Sequence, residues 1–126
     1  MSRDKTRPKY EDKCWGSVLH GFVCDHAAVS LLTLQKGSWC SKHIHRERSN
    51  VFWNISALVE IEEWELSGDI LVTLLEPGDV LEIPSGIPHR FRVLEDGEMI
   101  EVYYADRGGI VSIDDIDREE LGGRNG

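Results

Sequence analysis

The chain has 126 residues and a mass of 14.3 kDa, which suffices for one buried core but not for two ordinary domains. Its 23 acidic residues outnumber its 14 lysines and arginines, and the formal net charge of −9 argues against a general affinity for nucleic acid or anionic membrane. The sequence contains no apolar stretch of membrane-spanning length and no signal-peptide pattern, so we expect a soluble, cytoplasmic protein.

The first 14 residues are charged and poor in apolar side chains, and we expect a polar arm that is mobile or orders only against a partner. From Trp15 onward, turn residues separate short segments rich in Val, Ile, Leu and aromatic residues. These segments are AVSLLTLQ, VFWNIS, ALVEIEEWEL, ILVTLLE, VLEIP, HRFRVLE and MIEVYYA. Short strands at this spacing predict an antiparallel sandwich or barrel over residues 15–106, with residues 107–126 as a tail packed on or beside it.

Two segments carry residues suited to metal binding. His43 and His45 are two positions apart, so in a strand their imidazoles lie on the same face as a chelating pair. The second segment runs from Gly78 to His89 as a turn, a strand and a Pro/Gly bend, and its histidine is a candidate third ligand. The chain also has three cysteines, an odd number without zinc-like spacing, which we interpret as free thiols: Cys14, Cys24 and Cys40.

The glycine-led HxH, followed later by GxxxxxPxGxxH, resembles the two motifs of the cupin superfamily. Four runs narrow this to the cupin domain of type II mannose-6-phosphate isomerases: Trp15-Gly16-Ser17, Arg48-Ser49-Asn50, Ile83 to Arg90, and Ile100-Glu101-Val102. Asp114-Asp115-Ile116 is similar to an acidic segment that closes that domain. The resemblance implies an all-β double-stranded β-helix, a jelly-roll-like barrel in a single domain. It does not imply nucleotidyltransferase activity, because the chain has no Gly-rich phosphate loop.

The resemblance also implies one divalent metal ion (zinc, manganese, iron or nickel), held by His43, His45, Asn50 and His89. Asn50 stands where cupins usually place a glutamate, and His43 where the isomerases place a glutamine. Three imidazoles and an amide leave the charge of a divalent ion uncompensated. Glu47 is the alternative carboxylate, because in an extended chain it shares a face with His43 and His45.

Aldose–ketose isomerisation needs a cation to stabilise an enediolate, a base to move a proton and a clamp for the phosphate. Glu101 and Glu47 are the candidate catalytic bases. Candidate substrate-binding residues are Lys42, Arg48 and Arg90, although each also fits an ordinary solvated strand end.

Three functions fit these residues: a sugar-phosphate isomerase, an Fe(II) cupin dioxygenase, and a sugar-binding module without catalysis. We expect a homodimer, in which the arm before Trp15 adds a strand to a neighbour's sheet. Trp39, Trp53 and Cys40 are predicted to belong to the core, while His20 and His26 lie outside the motifs and are predicted to be structural or exposed.

Overall fold

Strands make up the regular structure of residues 1–105 and 116–125, the part of the chain that this computed structural model describes. The described strands are β1 (Lys9–Lys13), β2 (Gly16–Val23), β3 (Ala27–Leu34), β4 (Ser38–Trp39), β5 (Lys42–Ile44), β6 (Arg48–Asn54), β7 (Leu58–Trp64), β8 (Ile70–Leu75), β9 (Val80–Ile83), β10 (His89–Glu95), β11 (Gly97–Ala105), β12 (Asp117–Glu120) and β13 (Gly123–Arg124). Within those residues, no helix capable of crossing a membrane is present.

Two antiparallel sheets contain these strands. The first has the order β1-β2-β3-β11-β6-β9. In the second, β10 is central: β7 pairs along one edge with β8 outside it, while β5 and β4 pair along the other edge. β12 and β13 then pair with β5 and β4, so two C-terminal segments complete the second sheet.

The core lies between the two sheets, as the alternating sequence pattern predicts. In β7, Val59 and Ile61 are fully buried while Glu60 between them is partly exposed. Leu32 and Leu34 of β3 face them from the first sheet in the same buried cluster. The rings of Trp15 and Phe91 pack edge to face with their centroids 5.3 Å apart.

All seven apolar segments identified in the sequence form strands, namely β3 and β6 to β11. The sequence analysis missed β2, in which His20 and Gly21 interrupt the apolar pattern. Cys40 is buried as predicted, but Trp53 is 47% exposed and does not belong to the core. Cys14, Cys24 and Cys40 are all free thiols.

The two polar ends are paired with the chain's own sheets. Lys9–Lys13 of the predicted arm forms β1, which pairs with β2 of the same chain. This segment is therefore ordered without a partner chain. At the other end β12 places Arg118 opposite His43, and β13 places Gly123 opposite Trp39. Asp114 and Asp115, which the resemblance assigns to a closing acidic segment, lie outside the described residues.

Asn54 joins the two sheets through its buried amide. Its Nδ2 donates to the carbonyl oxygens of Ala57, at 2.7 Å, and of Leu75, at 3.1 Å, while its Oδ1 accepts from the Ala57 N–H at 3.1 Å. Asn54→Ala leaves these groups buried without partners, and we expect it to lower the free energy of unfolding by about 2 to 4 kcal/mol. Urea denaturation measures this loss. Ser56→Ala, at an exposed neighbouring position, is the control and should cost under about 1 kcal/mol; equal losses for the two variants would contradict the role given to Asn54.

Candidate metal centre

Three buried histidines meet at one end of the core. His43, His45 and His89 each offer a ring nitrogen, and these nitrogens lie within 4.8 Å of one another. Their ring centroids are 4.6 to 5.3 Å apart. The exposed fractions of the side chains are only 8%, 2% and 2%, so the cluster is largely removed from water. The structure therefore contains a group of three residues that could hold a metal ion, composed of the three histidines predicted from the sequence.

Strand pairing brings these histidines together. His43 of β5 lies directly opposite His89, the first residue of β10, in an antiparallel pair. His45 immediately follows β5 and retains the inward direction of His43. The Pro84–Pro88 bend before β10 is fixed by a hydrogen bond from the Gly86 N–H to the His45 carbonyl oxygen at 2.7 Å. The two sequence motifs are thus held against each other by backbone contacts.

Hydrogen bonds to backbone carbonyl oxygens orient the rings of His43 and His89. His43 Nδ1 lies 2.7 Å from the Ser41 carbonyl oxygen, and His89 Nδ1 lies 2.9 Å from that of Ile87. A carbonyl oxygen only accepts, so in both rings Nδ1 carries the proton and Nε2 retains its lone pair. A metal-ligating histidine is normally oriented by such a bond on its other nitrogen.

His45 is arranged differently. Arg48 Nη2 lies 3.2 Å from its Nδ1, and a guanidinium can only donate. This contact favours a neutral His45 with the proton on Nε2. Ligation through Nε2 would therefore require the proton to move to Nδ1 and Arg48 to turn away.

Asn50 lies beside the three histidines. Its side chain is 1% exposed, and among the described residues its Oδ1 has no hydrogen-bond partner. Its Nδ2 lies 3.5 Å from His89 Nε2 and donates to Glu101 Oε2 at 3.2 Å. A buried amide oxygen without a donor is a suitable metal ligand. A carboxylate is also present near the histidines: Glu101, one hydrogen bond beyond Asn50, where it can polarise the amide.

Glu47 lies elsewhere. The argument that it shares a face with His43 and His45 requires a continuous strand, but β5 ends at Ile44 and residues 46–47 form a bend. Glu47 is exposed, and it does not belong to the group of converging ligand atoms found in the described residues. Asn50, in contrast, contacts His89 directly.

Of the three basic residues predicted to bind substrate, only Arg48 faces the histidines. It is buried, and its guanidinium lies over the Tyr103 ring at 3.8 Å. Lys42 and Arg90 point to the outer side of the second sheet, because each precedes or follows an inward-facing histidine in its strand. Lys42 pairs there with Glu119 at 3.0 Å, and Arg90 pairs with Glu62 and Glu120, both at 3.1 Å.

A cavity of about 570 Å³ opens beside the cluster. Its polar lining includes predicted residues, His43, Arg48 and Glu101, and residues that the sequence analysis did not assign to a site, His20, Tyr103 and Arg118. Tyr103 could have been found, since it is two positions after Glu101 on β11 and so shares its face. No local pattern indicates His20 or Arg118, whose positions depend on long-range pairing of β2 and β12.

Burial raises the pKa of two ionisable groups at this cavity. Burial raises the pKa of the Glu101 carboxyl above its ordinary value, although hydrogen bonds from Tyr103 and Asn50 act in the opposite direction. Burial also raises the pKa of Tyr103 well above its ordinary value, and the nearby Glu101 contributes in the same direction. A carboxyl with a raised pKa next to candidate metal ligands is suited to exchanging a proton with a bound molecule.

Burial also controls the charge of the histidines. It lowers the pKa of His43 to about 2, with further contributions from His89 and His45, and lowers the pKa of His89. Because the folded-state pKa of His43 lies below its unfolded value, the unfolded chain binds more protons as the pH falls below about 6.5, and stability decreases.

We therefore expect the metal-free protein to lose stability between pH 7 and 5, with His43 contributing up to about 1.4 kcal/mol per pH unit. His43→Gln should reduce this pH dependence, whereas Glu101 has the opposite sign and is unchanged in that variant. Urea denaturation at both pH values, in the presence of a chelator, measures the effect. The exposed His26 provides the control: an equal reduction in His26→Gln would contradict the assignment to His43.

No known family profile and no curated protein matches the chain. Solved structures do match the chain. Oxalate decarboxylase from Bacillus subtilis at pH 4.6 matches with a TM-score of 0.77 and 16% identity, over 94% of this chain and 33% of that one. The capsular polysaccharide assembling protein CapF from Staphylococcus aureus matches with a TM-score of 0.73 and 19% identity, over 93% and 33% of the two chains. Both have the cupin fold, and so does this chain, which spans about a third of their length.

Proposed function

We propose that the protein is a metal-dependent cupin that acts on a sugar phosphate, isomerising it between aldose and ketose. The observation that carries this proposal is the position of Glu101, a buried carboxyl with a raised pKa, one hydrogen bond from Asn50 beside the three-histidine cluster. One candidate ligand, His43, and the candidate base Glu101 thus line the same cavity. Mannose 6-phosphate is the substrate that the sequence resemblance suggests, and CapF, a structural neighbour, is named for polysaccharide assembly.

A divalent ion held by His43, His45, His89 and Asn50 would supply a Lewis acid for the oxygens on the two reacting carbons. Glu101, as a carboxylate, takes the proton from the carbon next to the carbonyl and delivers it to the former carbonyl carbon, while the hydroxyl proton moves from one oxygen to the other, so the reaction needs no external oxidant or reductant. Tyr103 holds the Glu101 carboxyl by a hydrogen bond, and Trp15 and Leu32 form an apolar wall that limits the access of water.

The assay is interconversion of mannose 6-phosphate and fructose 6-phosphate by protein loaded separately with zinc, manganese, iron or nickel. Turnover with at least one metal, abolished by chelator, is the expected result. Binding of the sugar phosphate without turnover would replace the isomerase with a sugar-binding module. No binding, combined with oxygen consumption only by the iron-loaded protein, would favour the dioxygenase.

We propose that the protein forms a homodimer through β8 instead of through the N-terminal arm. Among the described strands β8 pairs only with β7, and its residues Ile70, Leu71, Val72 and Leu74 are 48% to 54% exposed. β8 contains no charged residue that would prevent another strand from pairing with its edge. The chain has a net charge of −9, so two copies that met through most other surfaces would repel each other. Light scattering at micromolar concentration tests this: Val72→Glu should give monomers and Val23→Glu, at an even more exposed apolar position on β2, should not. A wild-type monomer would refute the dimer.

We propose a cytoplasmic location. It suits a chain whose three cysteines are all free, two of them exposed, because exposed thiols persist in a reducing compartment. Fractionation of cells that produce the protein tests this proposal, and recovery from an oxidising compartment would contradict it.

A further inference from the structure

In the C-terminal edge strand β12, the acidic residues form ion pairs and the single arginine lines the cavity. Three of its four residues are acidic, and each pairs with a basic residue of β5, β10 or the bend after β5: Asp117 with Arg46 at 2.8 Å, Glu119 with Lys42 at 3.0 Å and Glu120 with Arg90 at 3.1 Å. The fourth residue, Arg118, lines the cavity beside His43. Within the described residues, no carboxylate lies within 4.0 Å of its guanidinium.

The backbone fixes where Arg118 sits. Its Cα lies opposite that of His43 in the antiparallel pairing of β12 with β5. After β12 the chain passes so close to β4 that only glycine fits. A Cβ at Gly122 would lie 2.7 Å from the Trp39 carbonyl oxygen, and one at Gly123 would lie 2.7 Å from a carbon of the Trp39 indole. The ion pairs and the two glycines together hold β12 at the cavity mouth.

The other cations of the cavity are already engaged. Lys13 lies 2.9 Å from Glu11, which also contacts His20 at 2.9 Å. Arg48 is buried against the Tyr103 ring and near His45. Arg118 is exposed at the mouth and has no acidic partner among the described residues, so it can meet an incoming anion at little desolvation cost.

We propose that Arg118 is the anion-binding residue of this site and that it selects ligands carrying a phosphate group. The inference rests on the proposed function for the identity of the ligand. It assigns to Arg118 the task for which the sequence suggested Lys42, Arg48 and Arg90. The guanidinium offers a planar fork of donors that matches two phosphate oxygens, while the rest of the ligand extends past His43 toward the histidine cluster.

Calorimetric titration with mannose 6-phosphate, inorganic phosphate and mannose tests the proposal. Arg118→Gln should weaken binding of both phosphate ligands by about tenfold or more, because it removes charge-assisted hydrogen bonds, and should leave mannose binding unchanged. Arg118→Lys, which keeps the charge but not the fork, should recover part of the loss. Arg124→Gln is the matched control: it removes the same charge from the same tail, where Arg124 contacts Gln35, and should change affinity by less than about twofold.

Equal effects of Arg118→Gln and Arg124→Gln would overturn the proposal, because bulk charge would then explain both. Equal loss of mannose binding in Arg118→Gln would also overturn it, since it would indicate damage to the cavity. The outcome is separable from the isomerase proposal. Phosphate binding that depends on Arg118, without interconversion of the sugar phosphates, would refute only the isomerase; interconversion with an unchanged KM in Arg118→Gln would refute only the role of Arg118.

Discussion

His89→Ala is expected to strip the protein of its metal. His89 is 2% exposed, its Nδ1 is held by the Ile87 carbonyl oxygen, and it is the one candidate ligand contributed by the second motif. Its loss removes a strong ligand from a site with no carboxylate among the converging atoms, and we expect metal affinity to fall by at least about a hundredfold. Elemental analysis of purified protein and calorimetric titration with zinc measure this.

His26→Ala is the control for this experiment, since His26 is exposed and lies outside the cluster. The same titration separates the two candidate fourth ligands: Asn50→Ala should weaken binding by about tenfold or more, and Glu47→Ala should have little effect. Circular dichroism should show that the sheets of His89→Ala remain, because the apolar core is untouched. Full metal occupancy in His89→Ala would eliminate the proposed centre.

Glu101→Gln is expected to reduce the interconversion of mannose and fructose 6-phosphates by about 10² to 10⁴. The amide cannot accept the proton, yet it is close in size to the carboxyl and can still accept a hydrogen bond from Asn50. Metal content and sugar-phosphate affinity should therefore change little. The measurement is kcat at saturating substrate with the metal that best supports turnover.

Glu98→Gln serves as the control, because Glu98 is an exposed carboxylate on the same strand. Glu47→Gln distinguishes the second candidate base. Loss of turnover in Glu47→Gln, with activity retained in Glu101→Gln, would transfer the role to Glu47 and contradict the arrangement proposed for the cavity.

The sequence predicted the parts of the site that depend on local pattern. The spacing of His43 and His45 placed both on one face, and the bend before His89 marked the third histidine. Strand alternation also predicted the buried face of β7. These predictions succeed because each concerns residues within a few positions of one another, where the period of the strand determines direction.

Properties that depend on pairing between strands far apart in the chain could not be predicted from the sequence. Lys42 and Arg90 neighbour the histidines in the chain but point away from them, and Arg118 reaches the cavity from β12. Trp53 was assigned to the core on residue type, whereas it lies on β6 next to the short edge strand β9, where it is left exposed. Glu47 was placed by extending a strand that in fact ends at Ile44.

The pairing of His43 with His89 also bears on how the chain folds. The two histidines are far apart in sequence and face each other only after β5 has joined β10. A metal ion would therefore meet both histidines only after this long-range pairing has formed. Binding at that stage should slow unfolding and leave the refolding rate nearly unchanged. The ion would then stabilise the folded barrel without taking part in the folding nucleus.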